Sequence, residues 1–282
     1  MDKLIITVNP AGKGQFPEAP DMEDAKAQAE EAVRAYNAGA SVAHIHGAML
    51  PGEGSRQPDL AHWQEMVDII RSKTELIVQF GRAVMRPPVR KELLSLKPEM
   101  SSFLLGHHDI ITARGPLNAL APLEDIKESA RYHLEAGVIP EMEVWHNGNI
   151  WNMQQLIEAR LLEPPYYATI FLGAPGGHWA PDTAQELLNR VVVLPHGVVW
   201  GLSVHGPRQA ALHALAIAEG GHVRTGWEDN PYLHRGEPAR SNAELVERIV
   251  RLARDIGREV ATPAEARKIL GLPRKPQQES TP

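Results

Sequence analysis

The chain has 282 residues, 43% of them hydrophobic, and no cysteine. That is enough apolar material for one large α/β domain, and it leaves no means of a disulfide framework or a thiolate metal site, so any metal must be held by nitrogen and oxygen. The formal net charge of -6 offers no basic field, and without an arginine-rich arm or an aromatic platform the expected partners are small molecules rather than nucleic acid.

In chain order, the opening run from Met1 to Val8 shows neither a charged-then-apolar leader nor a span long enough for a membrane helix, so no membrane association and a cytoplasmic location are expected. Short β-branched apolar runs at 4–8, 42–46, 76–80, 102–105, 139–144, 168–172, 198–204 and 222–224 read as strands. Between them, stretches at 25–38, 62–70, 123–136, 183–189, 209–218 and 242–256 carry apolar residues at three- and four-residue spacing and read as helices. Asp182 and Ser241 stand where N-caps belong, and Gly39, Gly137 and Gly220 where helices should stop. Eight strands alternating with helices predict an α/β fold, a closed (β/α)8 TIM barrel, in preference to an open doubly wound sheet. A single TIM-barrel catalytic domain is expected over 1–272, with 273–282, rich in Pro, Gln and Ser, as a disordered C-terminal tail.

In such a barrel the chemistry gathers at the C-terminal ends of the strands. His44, His46, Glu143, Arg224, Glu228 and Asp229 all fall at or just past such ends. Side chains alternate along a strand, so His44 and His46 project from one face and can converge on one ion. Barrel closure brings the eighth strand to within two strands of the second, which makes Glu228 a natural third ligand. Two histidines and a carboxylate with an open position are the pattern of a catalytic zinc. The other reading, Glu228 and Asp229 as a solvated acidic pair capping the next segment, stays open on spacing alone.

The ordered set of Ile6-Thr7-Val8, Ala38-Gly39-Ala40 leading to His44-Ile45-His46, Lys97-Pro98-Glu99-Met100, Ile139-Pro140-Glu141-Met142-Glu143-Val144, Leu172-Gly173-Ala174-Pro175-Gly176-Gly177, the run from Gly220 to Asn230, Ser241-Asn242-Ala243-Glu244 and Ala261-Thr262-Pro263-Ala264-Glu265 resembles the β-keto acid cleavage enzymes, whose founding activity is 3-keto-5-aminohexanoate cleavage. The resemblance implies a zinc-dependent barrel in which His44, His46 and Glu228 bind the ion, Asp229 is the general base, Arg224 orients it and Glu143 contacts substrate. It implies a retro-Claisen reaction of a β-keto acid with acetyl-CoA as co-substrate, giving acetoacetate and a new acyl-CoA. A homotetramer is also implied.

Several positions depart from the family pattern. Ala48 stands where an arginine is usual, Lys13 in Gly12-Lys13-Gly14-Gln15 where an acidic residue is usual, Arg82 after strand three where a hydroxyl-bearing turn is usual, and His107-His108-Asp109 where a small hydroxyl is usual. Arg82, His107 and His108 are therefore candidate contacts to substrate or CoA. Like charges would face each other if a cationic tail met Lys13 and Arg82, so an anionic or neutral polar tail is expected instead of the aminated acid. For His107 and His108 the readings are donors behind the site, a substrate clamp, extra metal ligands, or a loop-end pair satisfied by backbone. His178, His196, His205 and His222 read as structural. Alternatives to the cleavage reaction are a metal-dependent aldolase or hydrolase without CoA, or a degenerate, non-catalytic barrel.

Overall fold

The computed structural model describes residues 1–50 and 57–273, so the tail expected at 273–282 lies, apart from Pro273, outside the described residues. The apolar runs become β1 (Ile6–Val8), β2 (Val42–Ile45), β3 (Ile77–Phe80), β4 (Met100–Leu104) and, past a hairpin of β5 (His108–Thr112) and β6 (Gly115–Ala119), β7 (Ile139–Val144), β8 (Tyr166–Leu172), β9 (Val198–Val204) and β10 (His222–Thr225). The expected barrel is closed: β1, β2, β3, β4, β7, β8, β9 and β10 pair in that order, all parallel, and β10 returns to β1 through Ile6 opposite Val223.

The helices are α1 (Ala25–Ala38), α2 (Leu60–Lys73), α3 (Pro87–Leu94), α4 (Leu123–Ala136), α5 (Asn147–Glu158), α6 (Ala184–Val193), α7 (Gln209–Ala218), α8 (Asn242–Ile256) and α9 (Pro263–Ile269), with a small hairpin of β11 (Tyr232–His234) and β12 (Glu237–Pro238) before α8. Ser241 caps α8 as expected, and Gly39 and Gly137 end α1 and α4 in the left-handed region that favours glycine. Two expected caps are corrected. The N-cap of α6 is Thr183, whose side chain accepts from Glu186 N, because Asp182 turns toward Gly206 instead. Helix α7 is closed by Glu219, with Gly220 one residue beyond.

Alternate strand residues point inward and stack in layers of changing polarity. The lowest layer is apolar, built on Ile5, Val42, Ile77, Met100 and Tyr167, and α9 seals it from below with Ala266 and Leu270. Arg267 of α9 locks the plug in place, pairing with Glu99 at 2.7 Å and donating to the carbonyls of Glu75 and Leu76. Two residues further along each strand the buried side chains turn polar, with Thr7, His44, Gln79, Ser102, Glu141, Thr169, Ser203 and Arg224. A sealed, apolar floor under a polar upper half leaves chemistry only at the C-terminal mouth. Among the described residues no helix is long and apolar enough to cross a membrane.

Candidate active site

The polar half of the barrel opens into a cavity of about 790 Å³. His44, on β2, and His46, one residue past its end, both point into it as strand alternation requires, with their Nε2 atoms 2.9 Å apart. The backbone at His46 is clamped from α1: its N–H donates to Gln28 Oε1 at 2.8 Å, and Gln28 Nε2 donates to its carbonyl at 3.0 Å. Gly81 faces the pair. A Cβ there would fall 2.3 Å from His46 Nε2 and 2.6 Å from His44 Nε2, so only bare backbone leaves these nitrogens room. Burial, helped by the Arg224 charge at His44 and by the Arg82 charge at His46, holds both imidazoles well below their usual pKa, neutral with a lone pair available.

Beyond β10 the chain turns sharply at Gly226, whose φ of 154° and whose approach to Asn9 exclude a side chain. That turn returns Asp229 beneath Arg224. Arg224 Nε donates to Asp229 Oδ2 at 3.0 Å and Nη2 to Oδ1 at 2.9 Å, a bidentate pair with Asp229 wholly buried. Burial opposes ionisation of Asp229, but the guanidinium outweighs it and holds the carboxyl below its usual range. Asn9, at the end of β1, donates to Glu228 Oε2 at 2.6 Å and reaches Asp229 Oδ1 at 3.4 Å. His205, past β9, stands 3.8 Å from Asp229.

On β7, Glu141 and Glu143 share the inward face. Burial, then the neighbouring Glu141, pushes Glu143 up to about 8, while its Oε2 accepts from Trp145 Nε1 at 2.9 Å. Glu141 is also raised, by burial first, and accepts from Ser102 at 2.7 Å. Arg90 of α3 reaches in from behind, donating to Ser101 Oγ at 2.9 Å and the Gly81 carbonyl at 3.1 Å.

The remaining expected contacts divide. Arg82 lines the cavity and donates through Nε to the Gly47 carbonyl at 2.7 Å; Lys13 lines it too, paired with Asp21 at 3.3 Å. His108 is a wall residue, whereas His107 is exposed, is not part of that wall, and accepts from Ala121 N at 3.0 Å. Residues the sequence reading passed over are Asn9, Arg90 and Glu141, and His205, read there as structural, lines the cavity beside Asp229. Glu141 carried a signal, lying two residues before Glu143 on one strand, and Asn9 another, at the C-terminal end of the first strand; Arg90 and His205 carried none beyond position.

The donors suit a divalent ion in kind: two neutral imidazoles and a carboxylate, with no thiolate. In arrangement the two Nε2 atoms converge, while Glu228 Oε2 stands 3.4 Å from His46 Nδ1, on the other side of that ring. Among the described residues no group of three His, Cys, Asp or Glu is drawn together as a metal cage.

Residues 3–272 match the family model described as beta-keto acid cleavage enzyme. The chain is 36% identical over 281 residues to the 3-keto-5-aminohexanoate cleavage enzyme of Fusobacterium nucleatum subsp. nucleatum, covering 96% of this chain and 99% of that one. It is 29% identical over 278 residues to the 3-dehydrocarnitine:acetyl-CoA trimethylamine transferase of Rhizobium meliloti, covering 88% of each. The ternary complex of ObcA with a C4-CoA adduct and oxalate shares the fold, with a TM-score of 0.67 at 19% identity over 88% of this chain and 66% of that longer one.

Proposed function

Because the chain belongs to the beta-keto acid cleavage enzyme family, we propose that it converts a β-keto acid and acetyl-CoA to acetoacetate and a new acyl-CoA by retro-Claisen cleavage. The observation that carries the reading is the buried, bidentate Arg224–Asp229 pair beside the two imidazoles His44 and His46 at the mouth of the barrel. His44, His46 and Glu228 would hold a divalent ion, zinc in the family-based expectation, which when bound polarises the keto oxygen and acidifies the carbon between the two carbonyls.

The residues of the chain divide the rest of the work. Asp229, ionised and aimed by Arg224, takes a proton from C2 of the keto acid. The resulting carbanion attacks the acetyl carbonyl and expels CoA thiolate; the thiolate adds to the C3 carbonyl, the C2–C3 bond breaks, and Asp229 returns its proton to C2 of the departing acetoacetate. Atoms balance, and CoA stays bound between the two half-reactions. Glu143, held protonated, donates to an oxygen of the bound acid. Arg82 and His108 contact substrate or CoA from the wall.

The test is incubation of metal-loaded protein with a panel of β-keto acids, with and without acetyl-CoA, while acetoacetate and acyl-CoA are followed by mass spectrometry. Acyl-CoA formed only with both co-substrates supports the reading; cleavage without CoA favours an aldolase or hydrolase, and silence across the panel a non-catalytic barrel. The proposal extends to a homotetramer, for which sedimentation equilibrium should give the mass of four chains of 31.1 kDa, a monomer being the contrary result.

A further inference from the structure

The cavity has two unlike sides. One is ionic and holds His44, His46, Arg224 and Glu228; the other is the inner face of the β5–β6 hairpin. On β5 burial alternates strictly, so His108 and Ile110 turn inward while Asp109 and Ile111 face out, and Leu117 of β6 pairs with Ile110 across the ladder. Trp145 and Phe171 complete this side, stacked with ring centroids 4.0 Å apart.

His108 is the buried polar member of the wall, Thr112 further along β5 being less buried and donating to the Gly115 carbonyl. It is 6% exposed, lies edge-on to Trp145 at 4.9 Å, and its Nδ1 has no hydrogen-bond partner. The hairpin is fixed over the mouth by backbone bonds of 2.8 Å from Ala113 N to the Gly14 carbonyl and from Ile111 N to the Pro175 carbonyl. The charges at its tip are already matched, Arg114 with Glu23 at 2.5 Å and with Asp21 at 3.4 Å, and Lys13 with Asp21. The two hairpin strands and the Trp145–Phe171 stack carry no ionised side chain of their own; of the cations beside them, Arg224, over the Phe171 ring at 5.2 Å, is committed to Asp229, and Arg82 donates to the Gly47 carbonyl, while the nearest carboxyl, Glu143 under Trp145, is held protonated by burial.

We propose that this wall is the subsite for the distal end of the β-keto acid and that it selects an uncharged end: a short hydrocarbon bearing one hydroxyl, ether or carbonyl oxygen that hydrogen-bonds to His108. The hydrocarbon packs on Ile110, Leu117, Trp145 and Phe171, and the oxygen meets a neutral imidazole able to give or take one hydrogen bond. An ammonium placed here would give up its hydration with no ionised carboxylate to meet it, and a carboxylate would find Arg224 already committed to Asp229 and Arg82 holding the Gly47 carbonyl. The assignment rests on the proposed reaction for its substrate class and narrows the tail from polar or anionic to uncharged.

The experiment titrates metal-loaded protein, without acetyl-CoA, with 3-oxo acids of one length ending in methyl, hydroxyl, keto, ammonium or carboxylate groups, by calorimetry, and then repeats the series with acetyl-CoA for turnover. Hydroxyl- or keto-tipped acids are expected to bind about tenfold or more tighter than either charged tip. His108→Leu should shrink the ratio of oxygen-tipped to methyl-tipped affinity by about tenfold, and at least one of His108→Asn and His108→Gln, which put an amide where one ring nitrogen stood, should retain part of it. A preference for a charged tip, equal weakening of every acid by His108→Leu in a protein that melts like the wild type, or no binding by any acid overturns the subsite. Tip selectivity without acyl-CoA formation leaves the subsite standing and sinks the reaction, whereas acyl-CoA formation with a charged-tip preference does the reverse.

Discussion

A carboxylate with no exposed surface keeps its charge only when a cation repays the lost hydration, and Arg224 does so for Asp229 through two hydrogen bonds of 3.0 and 2.9 Å. Asp229→Asn should lower kcat by roughly 10²- to 10⁴-fold, the usual worth of a positioned base, and should also lower the melting temperature because Arg224 is left buried without its counter-charge. Full turnover in the metal-loaded variant would remove Asp229 from the role of base. Glu143 gives a pH test. Its folded pKa of about 8 lies above the ordinary glutamate value of 4.5, so between these values the folded protein holds a proton that the unfolded chain has lost. Its contribution is complete below about pH 4.5 and fades as pH rises through 8, by at most about 1.4 kcal/mol per pH unit. Glu143→Gln cannot titrate, so its melting temperature relative to wild type should climb from pH 5 to pH 8; a constant difference would contradict the assignment.

At the level of elements, α9 acts as a stopper whose single buried cation, Arg267, serves one carboxylate and two carbonyls. Arg267→Ala should cost roughly 3–5 kcal/mol of stability by stranding them, yet leave kcat of the folded fraction unchanged because the cavity is at the other end of the barrel; denaturant melts and initial rates check the two halves of this expectation. The barrel was legible because strands buried on both faces read as continuous apolar runs and because α1, α4, α7 and α8 carry full apolar stripes with recognisable ends. Helix α3 hid behind Pro87 and Pro88, α5 behind a histidine N-cap, and α9 behind its seven-residue length. The β5–β6 hairpin was missed because its sequence, His108-Asp109-Ile110-Ile111-Thr112, shows no apolar alternation; the alternation appears only as burial once the barrel supplies an inside. His44 and His46 were legible as a pair from strand period alone. Asn9 and His205 were not, since their approach to Asp229 is created by closure of the first, seventh and eighth barrel strands on one another.

Among the described residues of the whole molecule, burial depresses nine imidazoles, His44, His46, His108, His133, His146, His178, His205, His213 and His222. It raises three carboxyls, Glu141, Glu143 and Glu228. A histidine kept neutral in the fold contributes stability present above its unfolded pKa near 6.5 and lost as pH falls below it, whereas the raised carboxyls act in the opposite sense. Below about pH 6.5, where the unfolded imidazoles take up protons that the fold refuses, nine against three makes the protein acid-labile: the urea midpoint should fall between pH 6.5 and 5.5, and a flat or rising midpoint would show that these imidazoles are charged in the fold. One further consequence belongs to the hairpin. Its ladder of hydrogen bonds is internal to β5 and β6 and contributes none to the closed ring of eight strands, so the hairpin half of the cavity wall is separable from the frame that holds the reacting groups, with which Trp145 and Phe171 remain. Evolution, or an engineer, can therefore exchange one tongue of about a dozen residues to change the diet of the enzyme, at the modest energetic cost of a two-stranded ribbon, while the machinery beneath is inherited whole.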